Sequence, residues 1–488
     1  MDVIKNKIRN MESVLVYGYI FIAGFIMSMQ SSMGPWGLST TAGTDSSVFK
    51  TMALLMSKGF IPYKDSFDHK GPLIYIINWL GMQISYYKGI WVIELLTIVV
   101  TLGFIYKIAH LVCGKLYSCM VLLIVAFPLY EYLEGGNLVE EYAMPFIAIS
   151  LYYFIDYFLN EKINPVRLII CGFSLGAVCL LRVNMISVWV VFCIAVLIHL
   201  IYQQKVKKIL VFLSYFLCGL GMMVLPILIW LTVNGALYDF WENYIVFNQS
   251  YISDASFIQY VYAFLYFFGN VVMIVSVVSL VYQYKIKPDG FHLAYICYYF
   301  LTLAWICIGG RGYAHYGMIL IPLMAYPISI VFMMIEKRIK NSFFLTVVLG
   351  IAVISVWNEG ITWAIGSYVD RNHDSGRECD PVIDIITERT DENDTITVWG
   401  NWNIIYVLSH RIPASKYSYQ FPIADIDYDI YSEYFEDLEV NQPKFIIIQP
   451  NRAMGKMEEF LKEHLEYQHL DEIEGIDIYE NKGGSPIS

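Results

Sequence analysis

Between Val14 and Trp357 the chain passes through eleven apolar runs, and the loops that separate them alternate in charge. The runs are Val14 to about Met33, Trp91–Ile108, Leu116–Tyr130, Tyr142–Leu159, Leu168–Leu181, Met185–Tyr202, Ile209–Val233, Ile258–Tyr282, His292–Ile308, Tyr316–Ile335 and Phe343–Trp357. A helix needs roughly 20 mostly apolar residues to cross the hydrocarbon of a bilayer, so the pattern predicts about eleven transmembrane helices. Basic residues fall in every second loop: Lys107 and Lys115, Lys162 and Arg167, Lys205 to Lys208, Lys285 and Lys287, and Lys337 to Lys340. The intervening loops, Glu131–Glu141, Asn234–Asp254 and Gly309–His315, carry few. Positive charge near helix ends marks the cytoplasmic side, which puts the basic loops on the side of Lys5, Lys7 and Arg9. The first run exceeds the ~7–15 apolar residues of a cleavable signal, which favours a retained first span. An odd number of spans then leaves the N-terminus cytoplasmic and the C-terminal tail outside, in a multi-pass protein of the cell membrane.

The tail differs in kind from what precedes it. Residues 1–358 hold 17 Asp/Glu against 22 Lys/Arg, whereas residues 359–488 hold 26 against 10. The division predicts a transmembrane domain over 1–358 and an acidic extracytoplasmic domain over 359–488. With 57% apolar and 15% charged residues overall, the chain departs from soluble proteins, which carry about 25% charged residues. No basic face is available to neutralise phosphates, which argues against nucleic acid as a partner. Eight of the nine cysteines lie in apolar runs, at no metal-ligand spacing, and read as small buried hydrophobes.

The first external loop, residues 34–89, is too polar for membrane and too patterned for a linker. Asp45–Lys58 puts Val48, Met52 and Leu55 on one helical face, the pattern of an amphipathic helix at the interface. Leu73–Tyr87 is apolar all round but about fifteen residues long, which suits an interfacial or re-entrant helix better than a span. Between them lies Gly59–Pro72, GFIPYKDSFDHKGP, dense in charge, turn formers and aromatics.

This loop resembles that of the GT-C superfamily of membrane glycosyltransferases, in particular bacterial members of the protein-mannosyltransferase and aminoarabinose-transferase branch. Gly59, Pro62, Tyr63, Asp65, Phe67, Asp68, Lys70, Pro72 and Leu73 carry the match, after an Asp (Asp45) that opens a juxtamembrane helix. Glu134-Gly-Gly-Asn137 with Glu140 and Glu141, Gly172…Gly176…Arg182-Val-Asn184, and Gly309 to Tyr316 look like the same group, and the resemblance covers roughly residues 10–335. It implies a GT-C-like helical fold and transfer of a sugar from a polyprenyl-phosphate donor to an extracytoplasmic glycan, lipid or protein acceptor, with inversion at the sugar carbon.

Under that resemblance an acceptor hydroxyl needs a carboxylate near its proton, and Asp45 is placed for it; capping the helix is the competing role for the same residue. The leaving lipid phosphate needs cations, for which Lys70, Arg311 and His315, with Tyr316 beside them, are the candidates. Lys70 could instead snorkel at the interface. Asp68 and His69 are read as metal or substrate contacts; two ligands fall short of the three or four a site needs, so a divalent metal is left open and no other cofactor is implied. Glu140 and Glu141 match a second acidic motif and would position the acceptor or a metal. Arg182 and Asn184 sit in a tight hairpin, where capping the turn competes with substrate contact. Glu94 and Asp156 lie near span ends, within reach of the interface.

In the tail, Thr395–Trp399, Lys444–Gln449 and Gly475–Tyr479 read as strands and Pro381–Thr390 and Met454–His464 as helices, a small α/β domain. The competing classes are a lipid-linked oligosaccharide flippase or transporter, a polysaccharide ligase and an envelope scaffold. No internal repeat of the kind carriers show is visible between the two halves.

Overall fold

The computed structural model describes residues 2–33, 44–252, 256–339, 341–374 and 379–483. Helices α1 (Asp2–Ser28), α2 (Thr44–Ser57), α3 (Pro72–Ile84), α4 (Gly89–His110), α5 (Lys115–Ala126), α6 (Leu129–Tyr132) and α7 (Val139–Asn160) open the chain. Then come α8 (Pro165–Cys179), α9 (Ser187–Tyr202), α10 (Val206–Val233), α11 (Leu237–Phe240), α12 (Phe247–Ile252), α13 (Phe257–Phe268), α14 (Val271–Ile286), α15 (Gly290–Cys307), α16 (Leu320–Ile339) and α17 (Phe343–Asp374). The chain forms two compact units, one of residues 1–31, 91–227 and 252–368, the other of residues 32–90, 228–251 and 369–488.

The first unit is the helical one. Among the described residues, six helices are long and apolar enough to cross a membrane, seven if one bent pair counts as a single span. α8, α9 and the apolar stretches of α1 and α17 are shorter. The single span expected over Ile258–Tyr282 is instead that bent pair: α13 and α14 meet at 82°. The break has a local cause. Gly269 closes α13, and the Asn270 side chain accepts from Val272 N to start α14 anew. α8 and α10 cross so closely that a Cβ on Gly172 would lie 1.9 Å from Phe216 O, and one on Gly219 2.0 Å from Ile169 O. Small residues permit such backbone approach between helices in a membrane, where packing replaces the hydrophobic drive. Phe192 of α9 stacks on Phe154 of α7 and meets Tyr295 and Tyr298 of α15 edge-on. Trp189 Nε1 donates to Ser150 Oγ and Cys171 O, tying α9 to α7 and α8.

Asp156 is buried and paired with Arg167 across the α7–α8 connection. Glu94 is wholly buried.

The second unit is built on a five-stranded sheet of β1 (Thr395–Trp399), β2 (Ile412–Pro413), β3 (Phe445–Ile448), β4 (Tyr467–Ile473) and β5 (Ile476–Asn481), in the order β2-β1-β3-β5-β4. β1 runs parallel to β2 and β3, and β5 pairs antiparallel with β3 and β4. β1 and β3 are almost continuously buried, as central strands of a parallel arrangement are. The tail adds α18 (Asp380–Arg389), α19 (Ile404–Ser409), α20 (Asp429–Asn441) and α21 (Gly455–Glu463).

The described part of the loop expected between the first two spans, from Thr44 on, belongs to this unit. α2 packs on α3 and α19, so Val48, Met52 and Leu55 are covered by protein. Ala53, Leu54 and Met82 form a small core under Trp79 and Tyr86. Thr51 Oγ1 donates to Asn403 O at 3.2 Å, Tyr86 OH to Val407 O at 2.6 Å, and Phe67 N to Lys416 O at 2.8 Å. The amphipathic face of α2 is therefore covered within the unit, where α2 packs on α3 and α19, rather than left open to lipid.

Candidate functional site

In the second unit the motif residues fold the loop between α2 and α3 into a tight knot. Asp65 returns both its carboxylate and its N–H to Ile61, at 2.7 and 2.9 Å. Tyr63, in a left-handed conformation at φ +71°, is buried and donates its hydroxyl to Lys70 O at 2.7 Å. Tyr75 reaches the same carbonyl at 3.1 Å, and Asn248 Nδ2 donates to His69 O at 2.7 Å. Tyr63 and Asn248 thus pin the backbone of residues 70 and 69, with Tyr75 close by.

On that backbone Asp68, His69, Lys70 and Asp45 form a chain of polar contacts. Asp68 is buried and accepts from Tyr75 OH on Oδ2 at 2.8 Å; on Oδ1 it accepts from Tyr419 OH at 2.9 Å and His69 N at 2.8 Å. Burial pushes its carboxyl above the ordinary carboxylate range, against the pull of Lys70 and of these donors. Burial and the Asp68 charge raise Tyr75 and Tyr419 well above a usual phenol, so both hydroxyls stay protonated and donate. Lys70 Nζ lies 2.8 Å from His69 Nε2 and 4.0 Å from Asp45 Oδ2. Asp45 sits in the first turn of α2, half exposed, where a helix N-terminus favours its negative charge.

Asp68 and His69, read from sequence as metal or substrate contacts, are thus engaged by protein donors on three of their acceptor positions. Among the described residues no group of three His, Cys, Asp or Glu side chains converges on a common point.

The first unit holds Glu140, Glu141, Arg311, His315 and Tyr316. Residues Glu134, Gly135, Gly136 and Asn137 all have positive φ, at 41°, 96°, 76° and 55°. This left-handed turn aims the Asn137 N–H at two carboxylates, Glu141 Oε2 at 2.9 Å and Glu94 Oε1 at 2.5 Å. Glu94 also accepts from Ser31 Oγ at 2.6 Å, and Tyr142 OH donates to Asn137 Oδ1 at 2.9 Å. Glu140 faces elsewhere: Arg182 Nη1 pairs with it at 2.6 Å, and Nη2 donates to Tyr316 OH at 3.1 Å with the guanidinium over the Tyr316 ring. His315 Nδ1 pairs with Glu134 at 2.5 Å and its ring stacks on Tyr313. Arg311 is half-buried.

The structure therefore brings Glu140 and Tyr316 together through Arg182, which the sequence offered as a turn cap or a substrate contact. It separates Glu140 from Glu141, whose carboxylate turns inward to Asn137. Neither hydroxyl's bond to Asp68 is read from the sequence, neither that of Tyr75 nor that of Tyr419. Tyr75 carries a usable signal, seven residues after Asp68 on a helix opened by Pro72; Tyr419 reads from sequence only as one of a tail cluster with Tyr417, Tyr428, Tyr431 and Tyr434 suited to sugar stacking, and the structure buries it.

No curated protein matches the sequence. Among solved structures, the chain is similar to ArnT from Cupriavidus metallidurans bound to undecaprenyl phosphate, with TM-score 0.63 and 11% identity over 98% of this chain and 99% of that one. It is similar to the apo Archaeoglobus fulgidus oligosaccharyltransferase, with TM-score 0.53 and 13% identity over 88% of this chain and 69% of that one. The archaeal oligosaccharyltransferase AglB from the same organism, in complex with an inhibitory peptide and a dolichol-phosphate, matches with TM-score 0.51 and 11% identity over 90% and 69%. The chain shares the fold of these structures. Residues 5–345, well over half the chain, match the family described as "Putative competence-induced protein Ccs4 N-terminal domain", and the chain belongs to that family.

Proposed function

We propose that the chain is an integral-membrane glycosyltransferase that moves a sugar from a polyprenyl phosphate to a hydroxyl of an extracytoplasmic glycan, lipid or protein. The observation that carries the reading is Asp45 on the first turn of α2, 4.0 Å from Lys70, in a chain with the GT-C fold. A carboxylate beside an ammonium on one rim supplies both halves of a displacement. Asp45 takes the proton from the acceptor hydroxyl as its oxygen bonds to the sugar's anomeric carbon. The bond from that carbon to the phosphate oxygen breaks, and the electron pair leaves on the lipid phosphate, whose growing charge Lys70 stabilises. Attack opposite the leaving group inverts the anomeric centre. The bound undecaprenyl phosphate of the ArnT structure and the dolichol-phosphate of the AglB structure support a lipid-phosphate donor.

In the helical unit, Arg311, His315 and Tyr316 take the role of contacts to an anionic lipid headgroup, and Glu140 and Glu141 that of organising the acceptor side. Eleven spans, a cytoplasmic N-terminus and an extracytoplasmic tail complete the reading. The experiment is turnover of radiolabelled polyprenyl-phosphate sugars by the purified protein in nanodiscs, with mass analysis of envelope glycans with and without the gene. Release of polyprenyl phosphate coupled to acceptor labelling supports it; unchanged glycans together with no turnover of any donor sinks it.

A further inference from the structure

We propose that Tyr419, in the C-terminal part of the chain, is a positioning residue for Lys70: it fixes Asp68, Asp68 orients His69, and His69 holds the Lys70 ammonium beside Asp45. The inference rests on the glycosyltransferase reading for what Lys70 does, and on geometry alone for how Lys70 is held.

The hydrogen directions follow from the chemistry of the groups. An ammonium only donates, so at 2.8 Å His69 Nε2 accepts from Lys70 Nζ. The neutral ring then carries its hydrogen on Nδ1, which faces Asp68 Oδ1 at 3.5 Å and Tyr419 OH at 3.4 Å. A carboxylate facing one ring nitrogen is the usual way a protein selects a histidine tautomer. Asp68 is 2% exposed, and a carboxylate so buried keeps one orientation only while donors occupy its oxygens. Tyr75 holds Oδ2 and the adjacent His69 N–H reaches Oδ1; among the described residues Tyr419 supplies the hydrogen bond to Oδ1 from outside the loop.

The backbone under this chain does not depend on Tyr419. Tyr63 and Asn248 bind the carbonyls of residues 70 and 69 directly. Removing the Tyr419 hydroxyl should therefore release the side chains while the loop keeps its path. Lysine is a point charge on a flexible four-carbon stem, so losing its acceptor on His69 spreads the ammonium over several rotamers. The tail is by this reading a working part of the loop's chemistry and not only its cover.

Tyr419→Phe deletes the hydroxyl and keeps the ring. The expected result is a fall of about 10- to 100-fold in kcat/KM for a polyprenyl-phosphate sugar, most of it in KM, the scale on which outlying positioning contacts act. In the same protein, 15N spectra of labelled histidines, with His69 assigned by His69→Gln, should show the Nδ1–H form of His69 replaced by a tautomer mixture. Tyr417→Phe is the control: that hydroxyl bonds Glu433 at 2.7 Å, and its loss should leave kinetics and spectrum as in the wild type. Wild-type kinetics or a wild-type His69 spectrum in Tyr419→Phe overturns the proposal. If the wild type turns over no such donor, the functional reading fails and the spectrum alone decides: a preserved Nδ1–H form overturns the proposal and its loss supports it.

Discussion

Arg182 closes on Glu140 at 2.6 Å, and Glu140 is 4% exposed while Arg182 keeps about a quarter of its side-chain surface. The pair joins the start of α7 to the α8–α9 hairpin, and the same guanidinium reaches Tyr316. Breaking a buried pair from one side strands a charge and costs about 3–5 kcal/mol. Arg182→Gln should therefore lower the unfolding temperature of the protein in detergent. Glu140→Gln added to it should recover about 1–2 kcal/mol, because the stranded carboxylate is gone. Strict additivity of the two changes would show that the pair contributes no coupling.

Asp45→Asn tests the base. Size and helix compatibility are kept, so folding should survive. Turnover should fall by about 10²–10⁴-fold, the usual contribution of a general base, with donor KM little changed. Asp45→Ala should match Asn in turnover per folded molecule. An Asn variant with wild-type kcat would assign Asp45 to the helix terminus alone.

Gly136 has φ +76°, and a Cβ there would lie 2.2 Å from Glu94 Oε1. Gly136→Ala combines left-handed strain with a collision against a buried carboxylate and should cost about 2–4 kcal/mol. Gly59, at φ +91°, has nothing within 4 Å of its would-be Cβ. Gly59→Ala should therefore cost only the conformational part, about 1 kcal/mol. Equal destabilisation of the two variants in thermal unfolding would remove the steric account of the turn.

His410 supplies a pH test. Burial, then Arg411 and Lys58, lowers its pKa below the ordinary 6.5, while its ring stacks on Tyr86 at 4.4 Å. Below pH 6.5 the unfolded chain takes the proton before the native one does, so stability is full above 6.5 and is lost as pH falls through the lowered value. The ring is partly exposed, which keeps the effect to roughly 1–2 °C in unfolding temperature. His410→Asn, which tolerates the left-handed φ of +57° at this position, should flatten that part of the profile. A steeper acid loss in the Asn variant would contradict the assignment.

The mostly helical architecture was legible because apolar length is a local property. The break at Gly269–Asn270 was not, since a Gly-Asn pair within an apolar run reads as tolerated until Asn270 is seen capping α14. Asp45 and Lys70 stand out in the loop motif, but nothing in it encodes their approach to within 4.0 Å. The motif's other residues, Tyr63 and Asp65, turned out to shape the loop's backbone. β1, β3 and β5 announced themselves as apolar or alternating strands. β2 is two residues long and ends in a proline, as an edge strand can. β4, YQHLDEI, carries a register shift at His469/Asp471 that spoils its alternation. Arg182 and Tyr419 act across the fold, and no spacing in the chain encodes such meetings.

The contact between Asp68 and Tyr419 spans 351 positions of sequence. At about 5–20 residues per second of synthesis, Asp68 is made roughly 20–70 s before the hydroxyl that holds it. During that interval α2 still lacks α19, and Asp68 lacks the hydroxyl that completes its burial. Nascent chains must therefore pass through a stage in which the apolar side of α2 is open to chaperones and proteases. Truncation before residue 400 would freeze them there, so that the earliest-made part of the second unit is among the last to become native.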